Sequence, residues 1–123
     1  MPVEKLKKRL SKPGFKSDLY RVLIENMNEA VWVGDKNEKT IYANPRFCQM
    51  LEYSLDEIVG RESYDFWDKE SAEKVRHANM TKRRQGVSSG YEGNLVSKSG
   101  KTIPVWLHGA ALPSGGTIGI MTD

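Results

Sequence analysis

Hydrophobic residues follow two different spacings along this chain, and each spacing predicts a different kind of element. After Asp18, which suits an N-cap, the apolar residues stand at helical spacing and predict a helix; they are Leu19, Val22, Leu23 and Met27. The next two runs, AVWVGD and KTIYAN, are rich in β-branched and aromatic residues, and a polar turn separates them. They predict a β-hairpin.

Two short helices are predicted next, because each carries its own start signal. Asn44 followed by Pro45 combines a capping side chain with a residue suited to the first helical turn. Ser54 and Glu57 have the spacing of a capping box, and Gly60 ends the second helix.

The second half of the chain predicts one long helix and three strands. The helix runs from Lys69 to Gln85, with Asp68 as its N-cap and Gly86 after its end. The runs SGYEGNLVS, KTIPVWLHGAAL and GTIGIMT are strand-like and are separated by short turns. Short connections favour antiparallel pairing, so we expect an α+β fold in which helices pack on one face of an antiparallel sheet.

The composition is that of one folded domain, with 38% hydrophobic and 28% charged residues among 123. We expect residues 1–17 to be a basic, partly helical extension and residues 18–123 to be the domain. The chain lacks the run of about 18 apolar residues that spans a bilayer, and its single cysteine excludes an internal disulfide. We therefore expect a cytoplasmic domain without membrane contact.

The positive charge does not indicate nucleic acid as a partner. The net charge is only +3, and the basic residues form two groups, within residues 5–12 and 82–84. Neither group is interleaved with aromatic residues or placed on a nucleic-acid-binding motif, so both are interpreted as solvated surface. The acidic residues fall mostly in turns and first helical turns, where they cap helices, and this argues against a catalytic site.

Four stretches in this order resemble a PAS domain, also called a sensory box. They are the hairpin AVWVGDKNEKTIYANPRF, the helices CQMLEYSLDEIVGR, the strand pair LVSKSGKTIPVWL and the final GIMTD. The resemblance extends from Asp18 to Asp123. It implies a five-stranded antiparallel sheet that encloses a small-molecule pocket together with the helices. It also implies a regulatory module of a larger signalling protein, such as a sensor histidine kinase of a two-component system or a nucleotide cyclase.

The strand alternation predicts which side chains would line such a pocket. With the apolar set of each strand facing the helices, the strands contribute Val31, Val33, Ile41, Ala43, Leu95, Val105 and Leu107, and the two short helices contribute Phe47, Leu51 and Ile58. Almost no polar group is among them, so these side chains could equally meet and form a filled core.

The resemblance leaves the cofactor open, because PAS domains bind flavin, haem, small acids or nothing detectable. The flavin photosensor branch has a reactive cysteine in the stretch that reads GRES here, where Ser63 replaces it, so no flavin photoadduct is expected. The haem branch uses a histidine of the long helix. His77 lies on that helix, but about 140° from Ala72, on a side expected to be solvated; a haem sensor using His77 is the alternative function. Cys48 is expected to be a half-buried, inert thiol, and no metal site is predicted.

The same alternation points three aromatic residues to the other face of the sheet: Trp32, Tyr42 and Trp106. A patch of this size is usually covered in a soluble protein. The cover is either the N-terminal helix, through Leu19, Val22 and Leu23, or a second copy of the chain. We expect a homodimer, with the effector domain of the parent protein as a further partner.

Overall fold

The computed structural model describes residues 15–81 and 89–123. In this part of the chain the fold is a five-stranded antiparallel sheet with the strand order β2-β1-β5-β4-β3. The strands are β1 (Ala30–Gly34), β2 (Thr40–Ala43), β3 (Ser89–Val96), β4 (Thr102–Ala111) and β5 (Thr117–Thr122). The predicted α+β fold and all five predicted strands are confirmed.

One described helix, α1 (Phe15–Glu25), precedes β1. The connection between β2 and β3 contains the helices that cover one face of the sheet: α2 (Pro45–Leu51), α3 (Leu55–Ile58), a 3₁₀ helix (Ser63–Phe66) and α4 (Lys69–Thr81). The predicted end of the long helix at residues 82–86, both basic groups and most of the predicted extension lie outside the described residues. Among the described helices, none is both long and apolar enough to cross a bilayer.

The local start signals of the helices act as predicted. Asn44 Oδ1 accepts a hydrogen bond from the Phe47 N–H at 3.0 Å, and Ser54 and Glu57 form a reciprocal capping box. Asp68 Oδ1 accepts from the Ser71 N–H at 2.8 Å. These caps depend only on residues three positions apart, and such short-range bonds need no tertiary context.

The start of α1 was predicted wrongly. The helix begins at Phe15, so Asp18 lies in its first turn rather than at the N-cap. An acidic residue is favourable at either place, because the N-terminal end of a helix carries partial positive charge. The domain boundary after residue 17 stays a prediction.

The core lies between the concave face of the sheet and the helices. Phe47 and Phe66 meet edge to face there, with ring centroids 5.7 Å apart. Leu51, Ile58 and Leu95 are completely buried beside them. One core therefore joins both short helices and the 3₁₀ helix to the sheet.

Candidate functional site

A small cavity of about 30 Å³ lies inside this core. Its wall combines residues of the sheet with residues of the helices that cover it. The lining residues are Trp32, Phe47, Ser63, Phe66, Trp67, Val75, Leu95, Leu107, Gly109, Thr117, Gly119 and Met121. The core is thus neither completely filled nor hollow enough to hold a large ligand.

Two paired glycines leave the space for this cavity. Gly119 of β5 lies opposite Gly109 of β4 on one side and opposite Trp32 of β1 on the other. Cross-strand partners share a face of the sheet, so a row of two missing side chains lies next to the large indole. A Cβ at Gly119 would lie 3.1 Å from Leu107 Cδ1 and would take up part of the space. A glycine inside a strand often marks such a place, and this signal was present in the sequence.

Trp32 forms a wall of the cavity, and its predicted outward orientation was wrong. The side chain is buried and belongs to the core cluster. Its ring lies over Gly34, where any side chain would collide with it. The indole Nε1 donates to Thr40 Oγ1 at 2.8 Å, and that hydroxyl donates to the Arg61 carbonyl oxygen at 2.8 Å. A buried indole N–H needs such a partner, and Thr40 supplies it.

Three residues predicted to line the pocket do not face it. Val31 is buried but lies on the opposite side of β1 from Trp32, and Val33 shares that side with its partner Tyr42. Ile41 is 54% exposed, because the register of β2 shifts at this position and makes it a bulge. Alternation defines two faces of a strand but not which one is inner, and a bulge breaks the alternation altogether.

The other predicted pocket residues are all buried in the core cluster. They are Ala43, Phe47, Leu51, Ile58, Leu95, Val105 and Leu107. Among these, Phe47, Leu95 and Leu107 line the cavity itself. Burial on the inner face was therefore predicted correctly for these seven, while a role in ligand binding remains a prediction.

Ser63 is the one polar side chain of the described residues that is buried without a hydrogen-bond partner. It is 3% exposed, lines the cavity, and its Oγ contacts no protein donor or acceptor. Its position is held by the backbone, since its N–H donates to the Glu38 carbonyl oxygen at 3.0 Å. In the sequence, Ser63 stands out only as the replacement of a cysteine, and no pattern predicts that it faces the pocket.

The size of the cavity decides which cofactors fit in this arrangement. Pockets for drug-sized ligands measure about 300–1,000 Å³, at least about ten times the volume present here. Neither a flavin nor a haem fits between these side chains as they stand. His77 is exposed on α4 and is absent from the lining, whereas Val75 on the same helix is part of it.

The remaining candidates for metal or redox chemistry do not form a site. Cys48 is half-buried, and burial raises the pKa of its thiol, which keeps it protonated and unreactive near neutral pH. In the part of the chain that the structure describes, no three His, Cys, Asp or Glu side chains are grouped as metal ligands.

Asn44 joins α1 to the wall of the cavity. Its Oδ1 accepts from the N–H groups of Val31 and Phe47, at 2.9 and 3.0 Å. Its Nδ2 donates to the carbonyl oxygens of Ile24 and Glu29, at 3.0 and 2.9 Å. The side chain is completely buried, and its amide accepts two hydrogen bonds and donates two. It thus connects the end of α1, the start of β1 and the start of α2.

The outer face of the sheet and the apolar face of α1 remain exposed. Trp106 is 50% exposed and lies over Gly90, and His108 on the same strand is also exposed, as the alternation predicts. Tyr42 is half-buried. In α1, Val22 and Leu23 are 53% and 54% exposed. The helix therefore does not cover Trp106, and its own apolar residues are uncovered as well.

The end of β5 lies beside the end of α1. Arg46 Nη2 is 3.2 Å from Asp123 Oδ2, and Thr122 Oγ1 donates to Glu29 Oε2 at 3.2 Å. Asn26 and Arg46 both line the shallow groove that these groups form with Asp123. The C-terminal ends of α1 and β5 are thus adjacent.

The comparisons agree with this architecture. A family model described as the PAS fold matches residues 18–123, and the chain belongs to that family. PAS is a sensory and regulatory fold that is generally non-catalytic. No curated protein matches the chain in sequence.

Solved structures with the same fold include domains of sensor histidine kinases. A domain of a sensory box sensor histidine kinase/response regulator from Geobacter sulfurreducens is 22% identical with a TM-score of 0.80, covering 93% of this chain and 99% of that one. The PAS domain of an HTR-like protein from Haloarcula marismortui is 25% identical with a TM-score of 0.76, covering 88% and 96%. A PAS domain from a two-component sensor histidine kinase is 19% identical with a TM-score of 0.72, covering 90% and 98%.

Proposed function

We propose that this chain is a cytoplasmic sensory and relay domain of a larger signalling protein, and that it works as a homodimer joined through α1 and the outer face of the sheet. The exposed apolar face of α1 carries the proposal. Leu19, Val22 and Leu23 fall within an arc of about 100° on the helix, and Val22 and Leu23 are more than half exposed. Contiguous apolar surface of this kind is typical of an interaction site.

A second copy of this chain fits α1 as its partner. The charged residues of the helix carry both signs, and Arg21 Nη2 lies 3.4 Å from Asp18 Oδ1. A surface with both signs can be complementary to itself, which a two-fold symmetric interface requires. Trp106 supplies a second apolar area on the outer face, and exposed aromatic residues are common interface anchors.

The contacts of Asn44 support a relay between the cavity and α1. Phe47 lines the cavity, and its N–H donates to Asn44, which in turn donates to the Ile24 carbonyl oxygen of α1. A change at Phe47 would reach the dimer helix through a single side chain. An effector domain of the parent protein, such as a histidine kinase or a nucleotide cyclase, would respond to the position of that helix.

The oligomeric state in solution tests the proposal. We expect sedimentation velocity to show a dimer for the wild-type chain and a monomer for the variant with Val22→Glu and Leu23→Glu. Both side chains are exposed in the single chain, so the thermal unfolding midpoint of the domain core should change little.

Met80→Glu provides the matched control, because Met80 is a similarly exposed apolar residue on α4. It should leave the dimer intact. A double variant that stays dimeric, or a wild-type chain that stays monomeric at high concentration, would show that α1 is not the interface.

A further inference from the structure

We infer that the cavity beside Ser63 binds a small neutral molecule with one hydrogen-bonding oxygen, in the size range of methanol or ethanol. The inference rests on the proposed sensory function and names the class of ligand for it. Three observations carry it: the volume of the cavity, the absence of charge from its described lining, and the unpaired hydroxyl of Ser63.

The volume limits the ligand to very few heavy atoms. A cavity needs only about 10–15 Å³ to hold one water molecule, and this one measures about 30 Å³. An alcohol of two or three heavy atoms requires small side-chain movements. Leu107 and Met121 are the lining side chains near the glycine row, and methionine adapts readily because it is unbranched and has three rotatable bonds.

The lining excludes charged molecules. Every described lining residue is apolar, aromatic, glycine or a hydroxyl residue, and none carries a formal charge. An ion that entered the cavity would lose its hydration and gain no ion-pair partner, which is strongly unfavourable. A neutral molecule does not meet this barrier.

Ser63 provides a polar contact that the protein itself does not use. Its hydroxyl is a donor and an acceptor, and a buried hydroxyl without a partner is costly. Its backbone N–H is bonded to the Glu38 carbonyl oxygen, so the residue is anchored independently of its side chain. A ligand oxygen placed against Oγ would satisfy this group, while the apolar end of the ligand would face Phe66 and Leu107.

The expected affinity is weak, and this sets the conditions of the experiment. The highest ligand efficiencies known imply that a three-atom ligand binds no tighter than about millimolar. The chain should therefore be titrated with ethanol to about 100 mM while its amide chemical shifts are followed by NMR. Formate serves as a charged probe with the same number of heavy atoms as ethanol, and xenon as an apolar probe that needs no hydrogen bond.

We expect ethanol to shift the amides of Gly109 and Gly119 with a saturable curve, and formate to leave them unchanged. Ser63→Ala should weaken ethanol binding by roughly three- to tenfold, as expected for one hydrogen bond, and should leave xenon binding unchanged. The variant removes only an unpaired hydroxyl, so it should fold. Ser99→Ala is the matched control, because its hydroxyl is exposed and bonds to Glu52.

The inference is wrong if the ethanol shifts do not saturate, if formate binds equally well, or if Ser63→Ala binds ethanol as tightly as the wild type. These outcomes can be distinguished from failure of the proposed function. A chain that does not bind ethanol, but forms a dimer that Val22→Glu and Leu23→Glu disrupt, would contradict the ligand class. It would not contradict the proposed dimeric relay domain.

Discussion

Replacing Asn44 with alanine should strongly destabilise the domain, because four hydrogen bonds meet at this one buried side chain. The change removes the acceptor of the Val31 and Phe47 N–H groups and the donor to the Ile24 and Glu29 carbonyl oxygens. Each group is then left inside the protein without its side-chain partner. None of these losses can be compensated by the methyl group of alanine.

The magnitude follows from the type of each lost contact. Loss of an asparagine N-cap costs about 0.5–2 kcal/mol, and each further buried group left unpaired costs about 1–3 kcal/mol. The two carbonyl groups lie in partly buried contacts, so water can satisfy part of their bonding. We therefore expect a loss of about 3–5 kcal/mol in the free energy of unfolding, a large share of the 5–15 kcal/mol typical of a domain.

Urea denaturation followed by circular dichroism measures this loss, and the thermal midpoint should fall by about 10–20 °C. Asn28→Ala is the control, because Asn28 is exposed and substitutions of exposed residues usually change stability by less than about 0.5 kcal/mol. A fall of less than about 3 °C for Asn44→Ala would refute the reasoning.

Asn44→Asp separates the two hydrogen bonds that the side chain accepts from the two that it donates. The carboxylate can still accept from Val31 and Phe47, but it places an oxygen against the carbonyl oxygens of Ile24 and Glu29. We expect this variant to be destabilised as well, with faster amide hydrogen exchange in α1. Exchange in α1 at the wild-type rate would show that Asn44 does not hold this helix, and would remove the support for the proposed relay.

Two further predictions concern charged groups at helix starts. A hydrogen bond from Lys98, together with one from the Ser54 N–H, lowers the pKa of Glu57 from 4.5 to about 2. These bonds to the Glu57 carboxylate therefore stabilise the folded domain above pH 4.5, and this stabilisation is lost as the pH falls through about 2. Carboxyl NMR titration should show this pKa rising toward 4.5 in Lys98→Met, and an unchanged value would refute the role of Lys98. The hydrogen bonds from Ser71 likewise lower the pKa of Asp68. In urea denaturation, Asp68→Ala should lower the free energy of unfolding by about 0.5–2 kcal/mol, and Asp68→Ser should recover most of this loss by capping α4. Equal free energies of unfolding for the wild type and the two variants would show that Asp68 does not cap α4.

Much of the fold could be predicted because its signals are local. The caps at Asn44, Ser54 and Asp68 involve bonds across three residues, and the strands lie where β-branched and aromatic residues cluster. Such preferences act before any tertiary contact forms, and the short connections then allow only antiparallel pairing. The position of nearly every element followed from this information.

The orientation of the first hairpin could not be predicted in the same way. Either face of β1 carries apolar side chains, so the pattern around Trp32 fits both orientations. The register decides between them: Trp32 lies opposite Ala43, and the bulge at Ile41 allows Thr40 to bond the indole from the same face. This depends on contacts with the Gly60–Ser63 segment, which no local pattern encodes.

The sequence by itself determined the order of the elements and the caps, because these depend on near neighbours, and its resemblance to PAS domains indicated the family. Seven of the ten expected inner residues are buried in the core. Only the tertiary structure decided that a cavity exists and that Ser63 faces it. The cavity arises where Gly109 and Gly119 meet beside Trp32, three residues from three different strands. A space of about 30 Å³ is about two to three times what one water molecule needs. Such a gap depends on how distant side chains pack together, and no spacing along one strand records it.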